Sequence, residues 1–412
     1  MHDMRFSARL FSFLFLCYLI FCVVSPSGSI FGVSIRQGLF LAVVVSCIFD
    51  IACNRKAQIS WMLAGFFICL CLMFWALIGL VNGYPDYSVF GELSDVLATF
   101  STVYFGVYAY RSAGLTLARV SNVIVNSALL FGLAKVIVFI LLYLHVATYS
   151  QFIDWHQSIF GLLPITLIAG DFVRINNVND FVFPLVLLYY FVGGWRRGSW
   201  FGLCVIVFAL IVSYSRYLWF YSFVLFLSYF FFRAEFTTRI VGVFCLFMIV
   251  LCLLFVDAAF VISFIVERYS GEKAGVSDTI RLDMYPVLVE MVNDNVLFGN
   301  GFGAYSKAYY RFELNPWLYE LQWLSWVKDV GVIGLFLTLT LLYRLYRFNS
   351  LFRGSVGRSE FVWYVAMIMW LAVGLVNCFL LGPTAGVVFY FLWIIRYLFC
   401  FNDTEAQLCP VR

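Results

Sequence analysis

Residues 61–82 read WMLAGFFICLCLMFWALIGLVN, an apolar run without one charged side chain. The hydrocarbon core of a bilayer is about 30 Å thick and takes about 20 helical residues to cross. This run is long enough and has no polar face, so it reads as a membrane-spanning helix. Runs of the same character recur in both directions, near 9–25, 37–54, 95–110, 120–145, 179–194, 199–214, 217–232, 239–257, 327–345, 361–381 and 385–401. The chain therefore reads as an all-α polytopic integral membrane protein, a single transmembrane domain over 1–412 with about 12 transmembrane helices. The runs 199–214 and 217–232 are short and adjacent, and fit either a hairpin or one tilted helix.

Composition agrees. Hydrophobic residues make up 64% of the chain and charged ones 12%, and the mean hydropathy is +0.96. A soluble domain carries about 25% charged residues to solvate its surface, so most of this surface faces something other than water. No polar block is long enough to fold by itself, and there is no repeat or low-complexity tract. Nor is there a basic stripe of the kind that binds nucleic acid, so membrane lipid is the expected surrounding and nucleic acid is not an expected partner. The cysteines lie mostly in apolar runs, where they act as small hydrophobes. Neither disulfides nor a metal cluster is expected of them. Residues 1–25 resemble a secretory signal, with Arg5 and Arg9 ahead of Leu10–Val24, but Ser25-Pro26-Ser27-Gly28 is a poor cleavage site. They are read as an uncleaved first span.

Basic residues cluster in alternate loops: Arg55-Lys56, Arg111 and Arg119, Arg196-Arg197, Arg233 and Arg239, then Arg344, Arg347, Arg353 and Arg358. The positive-inside rule places these loops, and both termini, in the cytoplasm. Two longer segments fall outside, 146–178 and 258–326. The second is the largest polar stretch and precedes a late span. Function on a membrane scaffold tends to reside in such a loop. Within it, Ser277 or Asp278 is placed to cap a helix running through Arg281 toward Asn295, disturbed by Pro286. Leu297-Phe298-Gly299-Asn300-Gly301-Phe302-Gly303 supplies a glycine-rich turn. Asn315-Pro316 is an N-cap and N1 pair that opens a helix through Trp317, Glu320, Trp323 and Trp326. Glu320, Trp323, Val327, Gly331 and Gly334 then share one face, where the glycines admit another helix or a lipid.

Arg174, Arg216, Arg268, Lys273, Arg281, Lys307, Arg311 and Lys328 map to the outer side, against the positive-inside trend. One reading is a cradle for a phosphate-bearing lipid, since a guanidinium binds phosphate oxygens bidentately and stays charged. The other is ordinary solvated loop charge. Arg174, Arg216 and Arg281 are the candidates for phosphate. Arg216 is squeezed between two apolar runs, where an arginine is costly unless it is paired, faces a ligand or snorkels. Arg174 precedes Asn176-Asn177-Val178-Asn179-Asp180, which helix caps alone could explain. Glu320, among Trp317, Tyr319 and Trp323, is the acid–base candidate, with helix-dipole complementation as its bland alternative. Lys135 lies within a span. His145 and His156 are isolated, and no H-x-x-H or HExxH spacing supports metal catalysis.

Over about 170–346 the chain resembles the superfamily of bacterial O-antigen polymerases and ligases. The residues that carry the resemblance are Ser215-Arg216 at the end of a span, Arg281 with Tyr285, and the turn Phe298–Gly303. Tyr319-Glu320-Leu321-Gln322-Trp323 follows, leading into Asp329-Val330-Gly331-Val332-Ile333-Gly334. Ligases of this superfamily typically carry His and a small polar residue where this chain has Glu320-Leu321, which tilts the reading toward a polymerase. The proline usual before the glycine turn is replaced by Leu297.

The resemblance implies a glycosyltransferase of the inner membrane that joins undecaprenyl-pyrophosphate-linked oligosaccharides on the periplasmic face. It implies no metal, cofactor or nucleotide sugar, since the polyprenyl pyrophosphate is the leaving group. The mechanism expected for such an enzyme has Arg216 and Arg281, helped by Arg174, holding the pyrophosphate, Glu320 as general base, and Gly299, Gly301 and Gly303 as the loop supporting the site. A polysaccharide chain-length regulator is a partner expected on the resemblance alone. The competing readings are an O-antigen ligase transferring polymer to lipid A-core, a flippase for the same lipid-linked sugars, and a metal-dependent transferase using Asp86, Glu92 and Asp95.

Overall fold

The computed structural model describes residues 5–25, 27–53, 58–160, 165–167, 173–192, 199–232, 272–310, 313, 315–346 and 358–401. They are overwhelmingly helical. Before the first long break lie α1 (Phe6–Val24), α2 (Ile35–Cys53), α3 (Gln58–Val81), α4 (Asp86–Arg111), α5 (Leu117–Tyr143) and α6 (Tyr149–Phe160). A two-stranded antiparallel ribbon follows, β1 (Ile165–Leu167) on β2 (Val173–Ile175), paired Thr166 to Arg174. Then come a 3-10 turn at Val178–Val182, α7 (Phe183–Val192), α8 (Ser199–Ser213) and α9 (Arg216–Phe232). The last are α10 (Glu272–Asp294), α11 (Gln322–Tyr346), α12 (Arg358–Ala372) and α13 (Pro383–Phe401).

Among the described residues five helices are long and apolar enough to cross a membrane, by length and composition: α1, α2, α3, α5 and α11. Shorter apolar helices account for most of the remaining expected runs, and the run 239–257 lies outside the described residues. This is the architecture of a helical membrane protein. The segment 146–178 is not a plain loop, since it holds α6 and the ribbon. The adjacent runs at 199–232 form two helices, broken at Tyr214-Ser215, where Tyr214 takes a positive φ of 46°.

Chain contacts divide the protein into two compact units. The first comprises Met1–Leu72, Ser94–Leu225 and Leu381–Arg412. Here α1 packs against α2, α5 and α13. Several buried polar groups in this unit are tied together, as an apolar interior favours. Asp50 accepts from Ser7 Oγ at 2.6 Å and from Tyr108 Oη at 2.7 Å. Asn179 donates to the Val23 carbonyl at 2.9 Å and accepts from Thr384 at 3.0 Å. The asparagine-rich run is therefore explained by caps and ties. Asn177 and Asp180 form a capping box, and the Asn177 amide donates to Asp180 Oδ2 at 3.0 Å. Lys135 is buried against the same aspartate, 2.8 Å from Oδ1.

The second unit comprises Met73–Leu93 and Phe226–Leu380. It is organised by a break in α11. Gly331 sits at φ 64°, ψ −172°, conformations outside the helix, and the ladder stops there. The groups it orphans are met by the chain just after α10. The amides of Val332 and Ile333 donate to the carbonyls of Val296 and Leu297, at 2.9 and 3.2 Å. The carbonyls of Lys328 and Asp329 accept from the amides of Asn300 and Gly301, at 2.8 and 2.9 Å. Broken backbone inside an apolar helix survives only where protein satisfies it.

The same turn continues outward. The Phe302 amide donates to the Trp75 carbonyl of α3 at 3.1 Å, and the Gly303 amide to Glu92 Oε2 of α4 at 2.6 Å. Three expectations are corrected here. Gly334 does admit another helix, since Trp75 of α3 packs on it, but Gly331 does not share that helical face: it breaks the helix and is met by the backbone of Leu297 and Gly299. α10 begins at Glu272, upstream of Ser277 and Asp278, so neither residue caps it, and Pro286 is carried inside it. Asn315-Pro316 opens a turn and no helix; α11 starts only at Gln322. Trp317 is buried on Gly91 and Tyr319 on Met284 and Leu288. A helix would send these two side chains to opposite sides, and burying both outweighs the cap.

Gly301 carries this turn at φ 83°, its Cα facing the backbone of Ile78 and Gly79. Gly83 has nearly the same φ, 80°, but faces open space. Gly83→Ala is expected to cost about 1–2 kcal/mol of conformational strain. Gly301→Ala adds a backbone collision and is expected to remove most folded protein, as read by thermal unfolding and size-exclusion profile in detergent.

Candidate active site

The structure brings two of the residues singled out by sequence into contact. Arg281 Nε lies 3.0 Å from Glu320 Oε2. Both side chains are mostly buried, 21% and 10% exposed, so this is not a loose surface pair. Its placement follows from the register of α10. Arg281, Met284 and Leu288 stand at i, i+3 and i+7, one helix face. Met284 and Leu288 hold the ring of Tyr319, which is 1% exposed, and Ile280, Tyr305 and Tyr309 pack around it. With Tyr319 seated there, the next residue, Glu320, comes opposite Arg281.

Tyr319 is also fixed through its hydroxyl, which accepts from the Ser306 amide at 3.0 Å and donates to the Tyr309 carbonyl at 3.2 Å. Burial holds this phenol above its ordinary pKa, so it remains a donor. Tyr309 in turn donates to the Ile280 carbonyl at 3.2 Å. Beyond Glu320, Gln322 accepts from the Leu380 amide at 2.5 Å and Trp323 donates to the Leu371 carbonyl at 2.7 Å. Glu320 is thus clasped on both sides by residues that cannot move independently of the fold.

The remaining candidates fare differently. Gly299, Gly301 and Gly303 all have positive φ and form the turn that joins α3, α4 and α11. Arg216 is half-buried at the first position of α9 and lies in the other compact unit. Arg174 is on the ribbon, with its side chain outside the described residues; Arg268 and Arg311 lie outside them entirely. Lys307 is exposed, the ordinary state of loop charge. Tyr285 is exposed at 57%. His156 is buried against Phe152 and Phe160.

One cluster was not assembled by sequence reasoning. Lys328 and Asp329 are fully buried, with Nζ 2.7 Å from Oδ1, and the ammonium also donates to the Ala304 carbonyl. Glu92, 6% exposed, lies near this pair, close enough for its carboxylate to interact with that of Asp329 and with the Lys328 ammonium. The signal available was a Lys-Asp pair inside an apolar run just before a glycine, since charges within a span are retained for function or for structure. By sequence Glu92 groups with Asp86 and Asp95 as an acidic loop set. Its carboxylate instead closes the glycine turn.

Residues 185–339 match the family model described as O-antigen ligase. The matched stretch covers less than half of the chain but includes Arg216, Arg281, the glycine turn, Glu320 and the break in α11. The match agrees with the resemblance to the O-antigen ligase and polymerase superfamily read from the sequence. No curated protein and no solved structure was found to match the chain.

Lys135 is accounted for as a structural group, between the Asp180 carboxylate and the rings of Phe131 and Phe183. Removing one member of a buried pair leaves the other uncompensated, at a cost of about 3–5 kcal/mol. Lys135→Met is expected to lower the thermal midpoint sharply. Adding Asp180→Asn should recover most of the loss, and unfolding followed in detergent will show whether it does.

Proposed function

We propose that this chain is a membrane glycosyltransferase that polymerises undecaprenyl-pyrophosphate-linked oligosaccharide repeat units, of O-antigen or a related surface polysaccharide, on the periplasmic face of the inner membrane. The observation that carries the reading is the Arg281–Glu320 pair, set within the stretch matched by the O-antigen ligase family. It joins an anion-binding fork to a carboxylate in a mostly buried setting. An acceptor sugar hydroxyl attacks the anomeric carbon of the donor. The bond from that carbon to the pyrophosphate oxygen breaks, and its electron pair leaves with the pyrophosphate. The proton of the hydroxyl passes to Glu320.

Arg281 stabilises the charge that grows on the leaving group. An arriving pyrophosphate competes with Glu320 for the guanidinium, and so releases the carboxylate to act as base. Arg174 and Arg216 are proposed as further phosphate ligands on the strength of their places in the sequence. Direct displacement inverts the anomeric centre. The reaction needs neither a metal nor a nucleotide sugar.

A ligase remains the second reading, because O-antigen ligase is the description of the matched family. The glutamate at position 320, where ligases of the superfamily typically have histidine, favours polymerisation. A transporter would also use a discontinuous helix with charges beside it. Here the break at Gly331 is filled by the chain's own turn, and Lys328 supplies the cation.

Deletion of the gene in its source bacterium, followed by a gel of envelope glycolipids, separates these readings. A polymerase leaves core plus one repeat unit and no ladder. A ligase leaves no capped band, and repeats accumulate on undecaprenyl pyrophosphate. An undisturbed ladder would refute both for this polymer. Complementation with Glu320→Gln is expected to restore the protein but not the ladder, a loss of about 100-fold or more in turnover.

A further inference from the structure

The mechanism proposed above makes no use of Glu92, Lys328 and Asp329. Burying three ionisable groups is costly, and apolar residues of similar size would often stabilise a fold as well or better. Their position says what they do. The Lys328 ammonium binds Asp329 at 2.7 Å and the carbonyl of Ala304, and lies 5.1 Å from the centroid of the Tyr319 ring. Glu92 accepts from the next amide back along the loop, Gly303, at 2.6 Å, and its carboxylate lies near Asp329 and the ammonium. The ammonium thus grips both ends of the segment that runs from the glycine turn to Glu320.

We infer that Lys328, held by Asp329 and Glu92, is a positioning residue for Glu320. It acts through Tyr319. The ammonium fixes one face of that ring, while Met284 and Leu288 of α10 fix its place beside Arg281. Shifting Tyr319 shifts the adjacent Glu320 against the guanidinium. Misplacement of a catalytic group by about 1 Å costs on the order of 100-fold in rate. The inference rests on the reading of Glu320 as general base.

The test uses the full chain in nanodiscs and, as donor, the lipid-linked repeat isolated from the deletion strain. Lys328→Met alone strands buried carboxylates and risks misfolding, so the working variant is Lys328→Met with Asp329→Asn, which removes the pair together. Glu320→Gln is measured beside it. The expected result is a thermal midpoint close to wild type, a donor KM within about 2-fold, and a kcat lower by about 100-fold. Tyr319→Leu leaves all three charges in place and is expected to show the same split, which keeps the inference testable should the double variant not fold.

A folded variant of either kind with wild-type kcat, beside an inactive Glu320→Gln, overturns the positioning role and leaves the base intact. An active Glu320→Gln removes Glu320 as base, and the inference with it.

Discussion

Four successive amides, those of Asn300, Gly301, Phe302 and Gly303, each find a different acceptor: the carbonyls of Lys328, Asp329 and Trp75, and the carboxylate of Glu92. Much of the second compact unit depends on these bonds. In an apolar surrounding every unpaired backbone group costs several kcal/mol. A helix can stop at Gly331 only because another piece of chain presents matching donors and acceptors at that point. The turn does so, and in return it is held against α3, α4 and α11 at once. Its glycines are needed because the backbones meet with no room for a Cβ.

The pair at Arg281 and Glu320 inherits its order from that closure. The turn fixes the start of the segment that leads to Tyr319, and α10 fixes Arg281 through the same face that holds the tyrosine. A carboxylate and a guanidinium on separate segments meet at 3.0 Å without either being on a flexible tip. Preorganisation of this kind lets charged groups act on a developing charge without reorganising when it appears.

The two compact units handle buried charge in similar ways for different ends. In the first, Lys135 and Asp180 join the middle of α5 to the capped start of α7, and hydrogen bonds from Ser7 and Tyr108 satisfy Asp50. In the second, Lys328 pairs with Asp329 and donates to the Ala304 carbonyl beside a broken helix. A lysine inside an apolar helix thus has two quite different meanings, and only its partners separate them.

The sequence alone determined the class of fold. Apolar runs of about 20 residues have one stable outcome in a bilayer, and the observed helices match the expected runs to within a few residues in most places. It also singled out Arg281, Glu320 and the glycine turn, because an arginine against the charge trend, an acid among aromatics and clustered glycines are local signals.

Tertiary structure alone decided which of these meet. The sequence could not show that Asn315-Pro316 would lose its helix to the burial of Trp317 and Tyr319, or that Gly331 would break one. Nor could it bring Glu92 to Gly303, 211 positions away. Such pairings are set by the need to satisfy every buried polar group simultaneously, a condition on the whole packed molecule that no single stretch of sequence expresses.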